Sequence, residues 1–200
     1  AIEQREWSML VPLAGRVDPE SSFFGEWAAC LALEKISGLQ VPARAEALRI
    51  VMAELTRIAS HLRCLGLIAR EAGSEPGYHY CFRNRERFLD LIESWAGARF
   101  NLHFCRAGGV ARDLTDGVLE KTVQECESLV ARVREINDLI TYSALFEYRT
   151  RHLGPLDATL AQSVGLTGPV ARASDLAVDL RVGGVETRGY EELEFLVVQG

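Results

Sequence analysis

The residues best placed to do chemistry together are Glu54, Arg57 and His61. They follow one another at spacings of three and four, which puts all three on one side of any helix that carries them. Seven residues make nearly two turns, so Glu54 and His61 stand about 20° apart around the axis, with Arg57 between them. Their neighbours Leu55, Ile58, Ala59 and Leu62 are apolar. Such a row fits two descriptions. It is either a buried polar row that holds a site or a partner helix, or a solvated face laced by i,i+3 and i,i+4 pairs. The spacing alone leaves both open.

Metal chemistry has little support in the spacing. His61 would need further ligands, but His79 and His103 lie on other segments, and neither HxxxH nor CxxC occurs. The five cysteines, at 30, 64, 81, 105 and 126, are odd in number and lack a close pair. That argues against a disulfide scaffold and a closed zinc site, and for reduced thiols. Cys126 reads as a core residue on an apolar stripe. Gly108-Gly109 stands between Arg106 and Arg112-Asp113 without GxGxxG or GxxxxGK[ST], so close backbone packing is the better reading than a phosphate cradle. The chain is therefore expected to bind no metal, flavin or nucleotide of its own. Acidic residues outnumber basic ones, 28 to 22, for a net charge of −6. This disfavours nucleic acid as a partner.

The elements that must carry these residues are helical. Phe23, Trp27, Cys30, Leu31 and Leu33 recur at helical spacing, and Gly38 is a stop. Pro42 then opens a stretch from 43 to 71 with no further proline, about 43 Å long as a helix. The run from Gly73 to Gly77 has turn chemistry, and a third helix is expected over 80–97, with Phe82, Leu89, Ile92 and Trp95 inward. Residues 106–110 read as a loop. Asp116 is the expected cap of a fourth long helix over 117–148, its stripe formed by Leu119, Val123, Cys126, Leu129, Val130, Val133, Ile136 and Ile140. A short helix opened by Pro155 reaches Gly165. Beyond Pro169 β-branched residues increase, 182–185 reads as a turn, and 194–198 has room for a strand. The expected organisation is an irregular lead-in over 1–22, a helical bundle over 23–165, and an irregular tail over 166–200. The fold class is mainly α. With 48% apolar and 25% charged residues, the composition is that of a globular chain. No apolar run approaches the ~20 residues that span a bilayer, and no charged-then-apolar leader is visible. A first residue other than Met and a strand-like end suggest a piece of a longer protein.

Local phrases then appear in a distinctive order. They are Glu26-Trp27-Ala28, Leu33-Glu34-Lys35, Val41-Pro42-Ala43-Arg44-Ala45, Arg49 through Arg57, Ser60-His61-Leu62, Arg85-Glu86, Gly97-Ala98-Arg99, Arg106 through Val110, Asp113-Leu114, Gly165 through Val170, Arg172-Ala173-Ser174 and Asp179-Leu180-Arg181. This order resembles the D-subunit family of respiratory complex I, the NADH:quinone oxidoreductase, which shares its fold with the large subunit of nickel-iron hydrogenases. The resemblance implies a long antiparallel helical bundle of the hydrogenase large-subunit type, with an irregular, slightly β tail. It implies electron transfer from NADH through iron–sulfur clusters to quinone, with quinone as substrate and the clusters and flavin on partner subunits. An iron–sulfur subunit and other subunits would be partners. The place would be the cytoplasmic side of the inner membrane, peripherally bound.

In that family quinone meets a His on an N-terminal hairpin, which would lie ahead of Ala1, and a Tyr just after the Asp matching Asp18. Here Pro19 takes the Tyr position and has no hydroxyl to donate. An Asp that the family pairs with the missing His matches Glu71, a carboxylate one methylene longer. Asp18, Pro19 and Glu71 are thus the quinone-pocket candidates, and no residue is assigned a catalytic role. A piece lacking its covering segments would self-associate. The hydrogenase branch has a CxxC where Asp18-Pro19-Glu20-Ser21 stands, so that pair could not hold nickel here. A nickel-free hydrogenase-like or formate-hydrogenlyase-type large subunit, or a non-catalytic scaffold paralog, is the alternative.

Overall fold

The computed structural model describes residues 2–182, 189–194 and 196–198. They are mainly α-helical, as expected, and divide into two compact units, Ala1–Thr150 and Arg151–Gly200. In the first unit, short 3-10 turns at Ile2–Gln4 and Trp7–Met9 precede a single-turn helix, α1 (Leu10–Ala14). A third such turn, Pro19–Ser21, leads into α2 (Ser22–Ser37), α3 (Ala43–Glu71) and α4 (Glu75–Ala96). A hairpin of β1 (Cys105–Arg106) and β2 (Gly109–Val110) follows, then α5 (Val118–Leu139) and α6 (Ala144–Thr150). The second unit holds α7 (Ala158–Ser163), α8 (Gly168–Ala173) and a 3-10 turn at Tyr190–Glu192.

Helices α3 and α4 form the spine of the first unit. Only residues 72–74 join them, so α4 folds back along α3. Met52, Leu55, Ala59 and Leu62 supply the buried stripe of α3, and Phe88, Leu91, Ile92 and Trp95 that of α4. Gly66 lets the two helices pack closely, because a Cβ there would sit 2.9 Å from Cδ2 of Phe82.

Four local readings are corrected. Helix α4 starts at Glu75, ahead of the expected 80, because the 73–77 run is a helix start. Pro76 fits the first turn, and the Ser74 hydroxyl accepts the Gly77 N–H at 3.3 Å. The expected continuous helix to 148 breaks after Leu139. There the Ser74 hydroxyl donates to the Leu139 carbonyl at 3.1 Å, the Tyr142 N–H turns back to the Asn137 carbonyl, and buried Ile140 packs on the bare backbone of Gly77. Gly117, left-handed at φ 77°, takes the N-cap place expected for Asp116. The 106–110 loop is a tight antiparallel hairpin, pairing Cys105 with Val110 and Arg106 with Gly109.

The α5 stripe exists in the sequence but is largely open. Val123 and Val130 are 50% and 65% exposed, and only Thr122 and Ile136 of this helix are buried. The Trp95 indole N–H donates to Thr122 Oγ1 at 3.0 Å, tying α5 to α4. In the tail, no strand occurs among the described residues. The expected turn at 182–185 and strand at 194–198 lie partly outside them. No helix among the described residues is long and apolar enough to cross a membrane.

Candidate functional site

Asp18 caps the turn Pro19–Ser21, its carboxylate accepting the Glu20 N–H at 3.2 Å. A proline at the first position suits that turn. The turn is held against the helical spine by three contacts. The Ser21 and Ser60 hydroxyls lie 3.3 Å apart. The Glu20 carboxylate takes Arg63 of α3 at 3.2 Å and Arg85 of α4 at 2.9 Å. Arg85 is 7% exposed and lies over the rings of Phe82 and Phe100, at 5.9 and 5.6 Å. Glu20 thus stitches the turn to both long helices, while Asp18 and Pro19 remain exposed.

Glu71 lies at the end of the same helix, 79% exposed and 3.6 Å from Arg70. Eight residues of α3 separate it from Arg63, about 12 Å along the axis. Asp18 and Pro19 therefore flank one stretch of α3 and Glu71 another. The fold sets the three candidates along one helix without bringing them into contact.

The polar row of Glu54, Arg57 and His61 does not enter the interior. Glu54 and Arg57 pair at 3.2 Å with 32% of each side chain exposed, Arg57 lies 5.0 Å over the Phe24 ring, and His61 is exposed. The row is half-solvated, and its His61 end looks into a gap between α3 and α5. Between the two helices a cavity of about 250 Å³ is lined by Ile58, His61 and Leu65 of α3 and by Leu129, Val133 and Ile136 of α5, among others. A half-exposed pair is worth about 0–1 kcal/mol. Glu54→Ala and Arg57→Ala are each expected to lower stability by less than about 1 kcal/mol in urea unfolding.

The buried charges are elsewhere. Arg49, 1% exposed, donates to both Glu34 oxygens at 2.6 and 3.1 Å and to the carbonyls of Arg106 and Gly109 at 2.7 and 2.8 Å. Burial disfavours its charge, but the Glu34 hydrogen bonds and the charges around it outweigh that, and its pKa is raised. Glu26, fully buried, accepts the N–H groups of His103 and Phe104 at 2.8 and 3.1 Å. Burial pushes its carboxyl up, partly offset by these backbone donors and by His103. Above the unfolded value near 4.5, the native chain therefore holds this proton longer than the unfolded one. Stability contributed by this group is full below that pH and declines as pH rises through the folded pKa. Glu26→Gln should flatten that decline in thermal melts run at a series of pH values. An unchanged slope would mean the carboxyl does not titrate in this window.

Among the described residues no group of three or more His, Cys, Asp or Glu could hold a metal ion. The family of the respiratory-chain NADH dehydrogenase 49 Kd subunit matches residues 71–200. The chain belongs to that family. Its relatives include the NADH-quinone oxidoreductase D subunit of Desulforamulus reducens, 37% identical over the whole chain and 54% of the relative. The D subunits of Mycobacterium avium and Mycolicibacterium smegmatis are 39% and 37% identical over 98% of the chain and 45% of each relative. The chain spans about half the length of the curated relatives it matches. These names favour the complex I branch over the hydrogenase-like and scaffold alternatives. The clamp of Glu20, Arg63 and Arg85 was missed in the sequence because its members are far apart in the chain. Arg85 stands on the buried face with Cys81, Phe88 and Leu89, and a charge on that stripe was the available signal.

Proposed function

We propose that the chain forms one wall of a quinone site in the D subunit of an NADH:quinone oxidoreductase, facing an iron–sulfur subunit. The observation that carries this reading is the alignment of the whole chain with proteins named as the D subunit of NADH-quinone oxidoreductase. The site would run along α3 from the Asp18–Pro19 turn to Glu71. Electrons would arrive from NADH through flavin and iron–sulfur clusters held by partner subunits. This chain's part would be to shape the cavity and present carboxylates to it. Pro19 offers no proton to a quinone oxygen, so its contribution is shape, and Glu20, Arg63 and Arg85 act as positioning residues for the turn. The open apolar face of α5 supports a place inside a larger assembly; the names of the relatives support a membrane-associated one, and its cytoplasmic side is the place we propose. Without its partners the same face favours self-association.

The test is a chimera in which this chain replaces the matching part of the D subunit in Mycolicibacterium smegmatis. Membranes are assayed for NADH-dependent reduction of a short-chain quinone. We expect an assembled enzyme with weakened quinone reduction, restored several-fold by Pro19→Tyr. Arg85→Ala should raise the KM for quinone while leaving NADH oxidation by ferricyanide unchanged. Failure of the chimera to assemble with the iron–sulfur subunit would overturn the proposal.

A further inference from the structure

Helix α2 meets the segment 103–108 through one face, repeated every fourth residue. Glu26 takes the N–H groups of His103 and Phe104, and one turn past Cys30 Glu34 takes the N–H of Gly108 at 2.8 Å. Between these two carboxylate clamps Cys30 must face the middle of the segment, and there stands Cys105. Both residues are 0% exposed, and their thiols lie close enough for each to shift the other's ionisation. The clamps fix the register on either side, so the two sulfurs are held together by the fold. The guanidinium of Arg49 supplies positive charge beside both.

We propose that Cys30 and Cys105 are a redox-active dithiol that closes to an intramolecular disulfide on reaction with a hydroperoxide. The adjoining Cys105 thiol, as a donor to the Cys30 sulfur, and the Arg49 charge lower the pKa of Cys30 against the opposing effects of burial, Glu34 and Glu26. The Cys30 thiol beside it and burial raise that of Cys105. Of the two thiols Cys30 is the one favoured to ionise as the attacking thiolate, and Cys105 keeps its proton longer. The Cys30 thiolate attacks one peroxide oxygen, the O–O bond breaks, and a sulfenic acid forms with release of hydroxide. Hydroxide takes the Cys105 proton, giving water. The Cys105 thiolate then attacks the Cys30 sulfur, the S–S bond forms, and the sulfenic oxygen leaves as a second hydroxide, which takes up the proton that Cys30 released on ionising and becomes water. Two thiols and one hydrogen peroxide give one disulfide and two waters, the two electrons passing from sulfur to peroxide oxygen. Cys81 is a contrast, since burial alone pushes its thiol up to about 11 and keeps it protonated. Full burial means that peroxide reaches the pair through local opening of the hairpin. The closed bond then staples α2 to β1. Nothing in this requires the quinone reading.

The test uses the full chain carrying Cys64→Ser, which removes the exposed thiol and its intermolecular links. The protein is treated with excess hydrogen peroxide, its remaining thiols are blocked with N-ethylmaleimide under denaturing conditions, and it is digested without reductant. Mass spectrometry should find the Cys30 and Cys105 peptides joined in most chains, with formation faster in sub-denaturing urea. Thermal melting of the oxidised protein should rise by several degrees, because the link closes a long loop, and fall back with dithiothreitol. Cys30→Ser and Cys105→Ser, confirmed folded by circular dichroism, should each abolish the rise. The proposal is overturned if both thiols remain blockable after oxidation in urea, or if Cys30 reaches sulfinic acid without cross-linking.

Discussion

Arg49→Ala is expected to lower the unfolding free energy by about 3–5 kcal/mol, a large share of the roughly 5–15 kcal/mol of an ordinary domain. Arg49 is 1% exposed and Glu34 5%, so water cannot take over either charge when the other is removed. The truncation leaves the Glu34 carboxylate buried with the Gly108 N–H at 2.8 Å, and leaves the carbonyls of Arg106 and Gly109 without this donor. Glu34→Ala should cost a similar amount for the mirrored reason. Removing both charges together, as Arg49→Met with Glu34→Leu, should cost less than the two single losses added, because no unpaired charge is left behind. Urea unfolding of the parent, the singles and the double closes the cycle. A loss below about 1 kcal/mol for Arg49→Ala would mean that the pair behaves as a surface pair, and the buried clamp on the hairpin would be rejected.

The contrast between Arg49 and Arg57 shows what the sequence could deliver. Glu54, Arg57 and His61 announce themselves because their spacing is local, yet the structure leaves them half-solvated. Arg49 and Glu34 are fifteen residues apart across the Gly38–Pro42 link, and no helical period joins them. The readable hint was position, because Arg49 falls between Leu48 and Met52 on the buried stripe of α3. A charge on a core stripe needs a partner, but the partner's identity depends on how α2 and the hairpin dock. The same limit applies to α5. Its stripe is legible from periodicity, whereas whether anything covers it depends on packing that this stretch of chain does not determine by itself. Helix ends are ambiguous in the sequence where one signal serves two purposes. The Gly73-Ser74-Glu75-Pro76-Gly77 run is good turn chemistry and also a good helix start, and only the Ser74 hydroxyl, working on both Gly77 and Leu139, decides between them. The candidate quinone residues came from resemblance. Geometry added the clamp of Glu20, Arg63 and Arg85, which positions the turn that carries two of them.

The seat of that turn can be tested at Gly25. Substitution by alanine sets two effects of opposite sign against each other. Inside a helix the change should gain about 0.8–1.0 kcal/mol from propensity. A Cβ at Gly25, however, would lie 2.3 Å from the Ala14 carbonyl oxygen and 2.8 Å from its carbon. Both obstacles are backbone, so no rotamer change relieves them, and α1 must move off α2. Overpacking of this kind costs about 1–3 kcal/mol or more, and a backbone obstacle belongs at the upper end. The net expectation for Gly25→Ala is a loss of about 1–2 kcal/mol. Gly25→Val should lose more, because a β-branched residue brings less propensity gain and more bulk. The displacement has a local signature. From the end of α1 the chain turns through Gly15, Arg16 and Val17 into Asp18, and the N–H groups of Arg16 and Val17 bond back to Leu13 and Ala14. Amide exchange over residues 14–18 should therefore accelerate in both variants, while the α3 and α4 amides stay protected in proportion to the global loss. If Gly25→Ala instead stabilises by close to 1 kcal/mol, as free helix propensity dictates, α1 is not seated on α2. The Asp18–Pro19 turn would then rest on the Glu20 clamp and the Ser21–Ser60 contact.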